Sequence, residues 1–308
     1  MPSPWRFFLV GALLNLPRKP MSARRFAITA TDRYLGVFKA FVEAGWQPVK
    51  LFTAPTDERI SHNKATIAYA RSLGLDIQLS PLDQAAMADL QARDCELLVL
   101  ASYQWRIGDW KPYLRYAINF HPSPLPRYRG PYPLVQALLD RQRQWAVSCH
   151  QVTPAFDAGD VLASRSFELA EDECHESLDL KTQIAACQLA SAVALNLDAL
   201  WAQAQPQGEG HYVKLWSDGD RLLDFERGVD ELQTQLRAFG RFECLARVNN
   251  VLFHVRRAAA WKQGHRFPPG AVVHTDGPRL VLACRDGYVA LLEWSLLAPG
   301  TATETPAR

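Results

Sequence analysis

Apolar and polar positions alternate along this chain in two distinct rhythms. From residue 26 to about 203, short apolar runs of strand length separate longer segments in which apolar residues recur every three or four positions. The runs at 26–30, 47–53, 76–79 and 95–101 predict strands, and the segments at 33–44, 65–73 and 83–92 predict helices between them. Thr31 and Asp32 are placed to cap the first helix. The run 95–101 is almost wholly apolar, as suits a parallel strand buried on both faces. Strands at 116–120, 145–152 and 161–169 follow, with a helix at 131–141. A long helix is predicted over 174–203. On it Leu180, Ile184, Cys187, Ser191, Leu195 and Asp198 line up at helical spacing, mostly as one apolar face.

The rhythm changes after Gln205-Pro206-Gln207-Gly208-Glu209-Gly210, which reads as a linker. One more helix is predicted at 229–239. Short strands come next, at 251–255, 271–274, 280–283 and 288–293. Asn249-Asn250, Asp276-Gly277 and Asp286-Gly287 are hairpin-type turns between them. Together these patterns predict an α/β fold with a doubly wound, mostly parallel sheet, followed by a small OB-like β-barrel. The expected organisation is an extension over 1–22, a catalytic domain over 23–208, a helix-plus-barrel domain over 209–300 and a tail over 301–308.

Composition changes this picture little. The chain has 308 residues, 48% hydrophobic and 21% charged, the profile of an ordinary globular protein. Its 34 Lys and Arg against 32 Asp and Glu leave +2, so net charge gives no argument for a polyanionic partner. The six cysteines show no Cys-x-x-Cys pair, so neither a zinc site nor a disulfide framework is signalled; no metal is expected, and a cytoplasmic setting is. No run is long and apolar enough to predict a membrane span. The stretch 7–16 is apolar and ends in Pro17-Arg18-Lys19-Pro20, with a second Met at 21. It reads as an extension outside the fold, or as sequence upstream of the true start, in preference to an export signal.

Candidate chemistry concentrates between residues 118 and 160. Asn119 and His121 lie two apart at a strand end, so their side chains share a face. Pro122, Pro124 and Pro126 then forbid a helix and hold an extended loop. A polar pair at the carboxyl end of a strand is where open α/β sheets place their sites. Asp157, in an Asp-Ala-Gly-Asp turn, supplies a carboxylate that should orient the imidazole and raise its pKa. An amide, an imidazole and a carboxylate without an activated nucleophile suit acid–base and oxyanion work on a carbonyl. Ser123 stands between two prolines outside any Gly-x-Ser-x-Gly turn and is a weak nucleophile. No Gly-x-Gly-x-x-Gly follows the first strand, which argues against a dinucleotide site.

Asn119-x-His121, then Ser123-Pro124-Leu125-Pro126-x-Tyr128-Arg129-Gly130, then Asp157-x-Gly159-Asp160, closely resemble the tetrahydrofolate-dependent formyltransferases. That family includes enzymes acting on methionyl-tRNA, on sugar nucleotides and on glycinamide ribonucleotide. The resemblance spans roughly 24–300 and is weaker in the C-terminal part; Pro124 is a mild departure from the usual loop. It implies 10-formyltetrahydrofolate as donor, Asn119 and His121 as stabilisers of the tetrahedral oxyanion, and Asp157 as the residue that orients His121 and helps relay the proton. It also implies folate contacts from the loop with Tyr103, Gln104, Trp105 and Ile107, from Phe156 and Asp160, and from Ser123 and Arg129.

For the acceptor, a small-molecule amine, such as a nucleotide-linked amino sugar or a natural-product amine, is favoured over methionyl-tRNA. The stretch 53–64 holds two acids and two bases rather than a phosphate grip. Gly240-Arg241-Phe242-Glu243 stands where the tRNA enzymes usually carry Pro-Trp-Pro. The basic residues of the C-terminal part could hold a sugar-nucleotide diphosphate or support a homodimer. A formyltetrahydrofolate hydrolase and a catalytically silent folate-binding protein are the readings from other classes.

Overall fold

A computed structural model describes residues 23–296; the expected extension over 1–22 and the tail over 301–308 lie outside them. The chain builds β1 (Arg25–Ala30), α1 (Leu35–Glu43), β2 (Gln47–Phe52), α2 (Lys64–Ser72), β3 (Asp76–Gln78), α3 (Gln84–Ala92), β4 (Leu97–Ala101) and β5 (Tyr116–His121). It continues with α4 (Pro133–Leu139), β6 (Gln144–Gln151), β7 (Val161–Glu168) and α5 (His175–Ala202). Beyond residue 210 come α6 (Asp218–Arg221), α7 (Val229–Phe239), β8 (Cys244–Val248), β9 (Val251–Lys262), β10 (Val272–Asp276), β11 (Arg279–Cys284) and β12 (Gly287–Leu296).

The first seven strands form one sheet in the order β3-β2-β1-β4-β5-β6-β7. The first five run parallel, and β6 and β7 complete the edge antiparallel. Alternation along β1 explains why helices cover both faces. Phe26, Ile28 and Ala30 pack against Val37, Phe38 and Phe41 of α1 and the inner side of α5. Ala27, with Leu98 and Leu100 of β4, meets Met87 and Leu90 of α3. Every residue of β4 is buried, as its apolar run required. The remaining strands form a five-stranded antiparallel sheet, β10-β11-β12-β9-β8, standing as the expected small barrel-like unit. Asn249 and Asn250, both at positive φ, turn β8 into β9. α4 belongs to this second core: Leu134, Val135 and Leu138 pack with Leu232 and Phe239 of α7.

Three local expectations are corrected. Asp32 does not cap the helix that follows it. A short 3-10 turn, Asp32–Tyr34, intervenes, and the Asp32 carboxylate instead accepts from Ala65 and Thr66 N–H at the start of α2, 3.1 and 2.7 Å away. The helix expected at 131–141 starts at Pro133, because Tyr132 takes a left-handed conformation. The apolar face chosen for α5 is the wrong one. Leu178, Ala185, Ala186, Leu189, Ala190 and Val193 face the sheet, whereas Leu180, Ile184 and Leu195 are exposed. Small residues win the inward face because α1 packs closely there. A Cβ on Gly36 would come within 3.2 Å of Cys187.

Candidate active site

The carboxyl end of β5 sets Asn119 and His121 on one face, as two-residue spacing demands. β6 runs antiparallel beside it, with His150 opposite Asn119 and Ser148 opposite His121. The chain leaves β5 through the proline loop, which is pinned to its surroundings at several points. Ser148 Oγ donates to the Ser123 carbonyl (2.8 Å) and accepts from Leu125 N–H (3.2 Å). Trp145 Nε1 donates to the Pro122 carbonyl at 2.9 Å. Ser123, fully buried, donates its hydroxyl to the Arg127 carbonyl at 2.9 Å, so that group is occupied within the loop rather than turned toward a ligand.

Asp157 enters from the turn between β6 and β7, in a left-handed conformation that Asp tolerates. Gly159 closes this turn, where a Cβ would lie 1.9 Å from the Gln151 carbonyl oxygen. Asp160 accepts from Gln151 N–H through its backbone carbonyl at 2.9 Å. The Asp157 carboxylate is met from all sides. Its Oδ2 accepts from Gly130 N–H at 2.9 Å. Its Oδ1 accepts from Asn119 Nδ2 at 3.2 Å, with His121 Nδ1 at 3.4 Å and His150 Nε2 at 3.6 Å. Burial alone would raise this carboxyl; the neighbouring imidazoles and the Gly130 N–H outweigh it and hold the pKa down to about 2.

The expectation that Asp157 raises the His121 pKa is corrected. His121 is 5% exposed, and desolvation outweighs the attraction of Asp157, so its pKa lies below the ordinary histidine value. The imidazole is therefore neutral at neutral pH beside an ionised carboxylate. Geometry also assigns its tautomer. Nε2 lies 2.9 Å from the Tyr128 carbonyl, where only an N–H bonds. Nδ1 is left unprotonated, facing Asp157. The site thus holds a base ready to accept a proton, with a carboxylate beside it to stabilise the resulting imidazolium.

His150 was missed from sequence. Its Nδ1 faces the Gln151 carbonyl at 2.8 Å, so it donates there and leaves Nε2 as an acceptor for Asn119 Nδ2 at 3.1 Å. The Asn119 amide is thereby oriented with its NH2 inward, toward His150 and Asp157. The available signal was Ser148 and His150, a polar pair at strand spacing within an otherwise apolar run. Gln207 was also missed, and the supposed linker proves to be a strap. Gln207 Nε2 donates to the Asp157 and Gly159 carbonyls at 3.0 and 2.6 Å. Its Oε1 accepts from Arg129 Nε and Nη2 at 3.0 and 2.9 Å. Arg129, expected to face the folate, is thus committed to the strap. Gly130 permits this closeness, since a Cβ there would lie 2.4 Å from the Val213 carbonyl oxygen.

The remaining expected cofactor residues stand on two loops at the same sheet edge. Tyr103 accepts from Leu82 N–H at 2.6 Å through its hydroxyl and meets Trp105 edge-to-face at 5.3 Å; Ile107 packs against the core beneath, and Gln104 is exposed. Arg106 lies over the Phe156 ring at 4.9 Å, joining this loop to the Asp157 turn. Phe156 is half exposed.

Comparison with known proteins agrees with this geometry. A family model described as formyl transferase matches residues 49–194. A methionyl-tRNA formyltransferase of Thiobacillus denitrificans is 30% identical over 237 residues, covering 74% of this chain and 74% of that protein. The chain belongs to the formyl transferase family. Solved structures agree on the fold. HypX from Aquifex aeolicus in complex with tetrahydrofolic acid superposes with a TM-score of 0.59 at 18% identity, over 89% of this chain and 44% of that one. An N-formyltransferase from Helicobacter canadensis, in complex with folinic acid and dTDP-3-aminofucose, superposes with a TM-score of 0.62 at 11% identity. It is matched over 89% of this chain and 100% of its own. Membership makes the expected enzyme class, a formyltransferase, the class of this chain. It leaves open which amine is formylated.

Proposed function

We propose that this formyltransferase moves the formyl group of 10-formyltetrahydrofolate to the primary amine of a small-molecule acceptor. The observation that carries the reading is the convergence of Asn119, His121 and Asp157 around a neutral imidazole and an ionised carboxylate. The acceptor nitrogen bonds to the formyl carbon, the bond from that carbon to N10 of the folate breaks, and one proton passes from amine to N10. His121 Nδ1 takes the amine proton, and Asp157 holds the imidazolium. The Asn119 amide turns a hydrogen from Asp157 to the oxyanion while His150 keeps the other. The loops carrying Tyr103–Ile107 and Phe156 form the two walls on which the folate would lie.

A small acceptor is favoured by the way several cations of the C-terminal part are already paired. Three basic residues of the C-terminal part face carboxylates: Arg256 on Glu243 at 3.2 Å, Arg257 on Glu293 at 2.8 Å, Lys262 on Asp230 at 2.6 Å. Phosphate binding would have to displace these partners. Methionyl-tRNA is the second reading, favoured by the named relatives over three quarters of the chain. Incubation with 10-formyltetrahydrofolate and a panel of amines, charged initiator tRNA included, tests both through the folate absorbance change. Turnover with an amino sugar nucleotide or free amine supports the proposal. Turnover with tRNA alone selects the second reading, and formate release without any amine makes the protein a hydrolase.

A further inference from the structure

Two arginines near the catalytic edge keep unspent donors. Arg33 stands in the 3-10 turn after β1, and Arg241 in a second such turn, Gly240–Phe242, after α7. Both reach one carboxylate, Asp179, near the start of α5. Arg33 Nε donates to its Oδ1 at 2.5 Å. Arg241 Nη2 lies 3.7 Å from its Oδ2, which already accepts from Gln183 Nε2 at 3.1 Å. Among the described residues the Nη groups of Arg33 have no hydrogen-bond acceptor, and Arg241 has none for any side-chain N–H. Glu176 lies against Gly240 but pairs with neither guanidinium. Two guanidiniums against one carboxylate leave an excess positive charge. Arg257 and Lys262, by contrast, each have a carboxylate of their own.

A second observation points to a ligand. Tyr34 and His175 are 2% and 3% exposed, yet neither Tyr34 Oη nor His175 Nδ1 makes a hydrogen bond. The Arg33 guanidinium lies over the Tyr34 ring at 5.1 Å, and the His175 ring meets Phe242, the neighbour of Arg241, at 5.0 Å. Burial pushes the Tyr34 phenol up, and burial with the charge of Arg241 drives the His175 pKa down to about 3. The phenol therefore keeps its proton and the imidazole is neutral, so each can donate one hydrogen. Buried polar atoms are nearly always satisfied. A water would answer these two neutral groups; an anion answers them and the guanidiniums together.

The cluster adjoins the catalytic groups. Tyr132, two residues beyond the Gly130 whose N–H holds Asp157, meets Phe242 edge-to-face at 5.2 Å. The charge of Arg33 acts on both Tyr132 and His121. Neither arginine stands on the loops carrying Tyr103–Ile107 and Phe156, where the folate would lie. We propose that Arg33 and Arg241, with Tyr34 and His175, form a subsite for one anionic group of the amine acceptor, a carboxylate or a phosphate. The inference rests on the small-acceptor reading and adds to it that the acceptor is itself acidic. A single anionic group suits two guanidiniums around one point, whereas a polynucleotide backbone needs repeated cations.

Ligand-observed NMR on the full chain tests this without turnover, with the phosphorus line of inorganic pyrophosphate and the carboxyl carbon line of labelled acetate as probes. At least one probe should bind saturably; pyrophosphate alone assigns a phosphate, acetate alone a carboxylate. Arg241→Gln should weaken that binding about tenfold, the loss expected for one charge-assisted partner, and Arg33→Gln by as much or more. Arg241 makes no side-chain hydrogen bond to the chain, so its variant should keep the fold, which far-UV circular dichroism checks. That variant decides the matter if Arg33→Gln, which strips Asp179 of its nearest partner, does not fold. Arg257→Gln should leave binding unchanged, and saturating 5-formyltetrahydrofolate should not displace the probe. Absence of saturable binding, equal binding in wild type and Arg241→Gln, or equal weakening by Arg257→Gln overturns the inference. So does displacement by the folate, which would give the arginines to its carboxylates. Turnover with tRNA alone would instead overturn the small-acceptor reading, so the two fail separately.

Discussion

The catalytic edge and the C-terminal sheet manage polar groups in opposite ways. At the edge, Asn119, His121, His150 and Asp157 are withdrawn from water, and each is fixed by hydrogen bonds to the others or to backbone. Burial therefore acts on their protonation, driving His121 toward neutrality while its surroundings keep Asp157 ionised. In the C-terminal part, pairs such as Arg257–Glu293 and Lys262–Asp230 sit at the surface, where solvent screens them. A cavity of about 870 Å³ lies in that part, bordered by Arg141, Asp224, Arg227 and Glu231, well away from the Asn119–His121–Asp157 cluster. This opening and the chemistry are in different places. Convergent, desolvated polar atoms mark this site better than volume does.

The largest effects expected from this contrast are at the edge. Asp157→Ala and His121→Ala should each lower turnover by about two to four orders of magnitude, while folate binding measured by fluorescence titration stays largely intact. Near-normal rates in either purified variant would remove the proposed mechanism. His150→Phe should cost about tenfold in kcat with little change in KM for folate, since it leaves Asn119 unoriented rather than removing it. A rise in KM alone would make His150 a binding residue instead.

The pH response should carry the same signature. His121 has its folded pKa below 6.5, so its basic form is present at neutral pH and is lost only as pH falls through that depressed value. The acid limb of the kcat/KM profile should therefore lie below pH 6.5; a limb centred above 7 contradicts a buried neutral imidazole. Asp157 has its folded pKa depressed from 3.8 to about 2. Its stabilising contribution, about 2 kcal/mol, is present above pH 3.8 and lost as pH falls toward 2. Urea unfolding of wild type and Asp157→Asn should differ at pH 6 and converge near pH 2. The smallest effect is expected outside the edge. Arg257→Ala removes an exposed pair, with Glu293, and should change turnover less than twofold. A tenfold loss with one acceptor would instead bring the C-terminal sheet into acceptor binding.

Local spacing by itself determined a good deal. The apolar run of β4 dictates a strand buried on both faces. Two-residue spacing dictates that Asn119 and His121 share a side, and three prolines dictate the loop that frames them. The Asn-Asn and Asp-Gly pairs dictate the hairpins of the second sheet. These are short-range consequences of φ/ψ restriction and side-chain periodicity, so they can be read along the chain. What only the tertiary structure decided depends on residues far apart in sequence. His150 meets Asn119 because β6 returns antiparallel in one register. Gln207 backs the Asp157 turn because the strap folds over it. α5 buries its small residues because α1 packs too closely for Leu180 or Ile184. The protonation of His121 belongs to this second group: a neighbouring carboxylate alone would raise its pKa, and only enclosure by the folded chain reverses the sign.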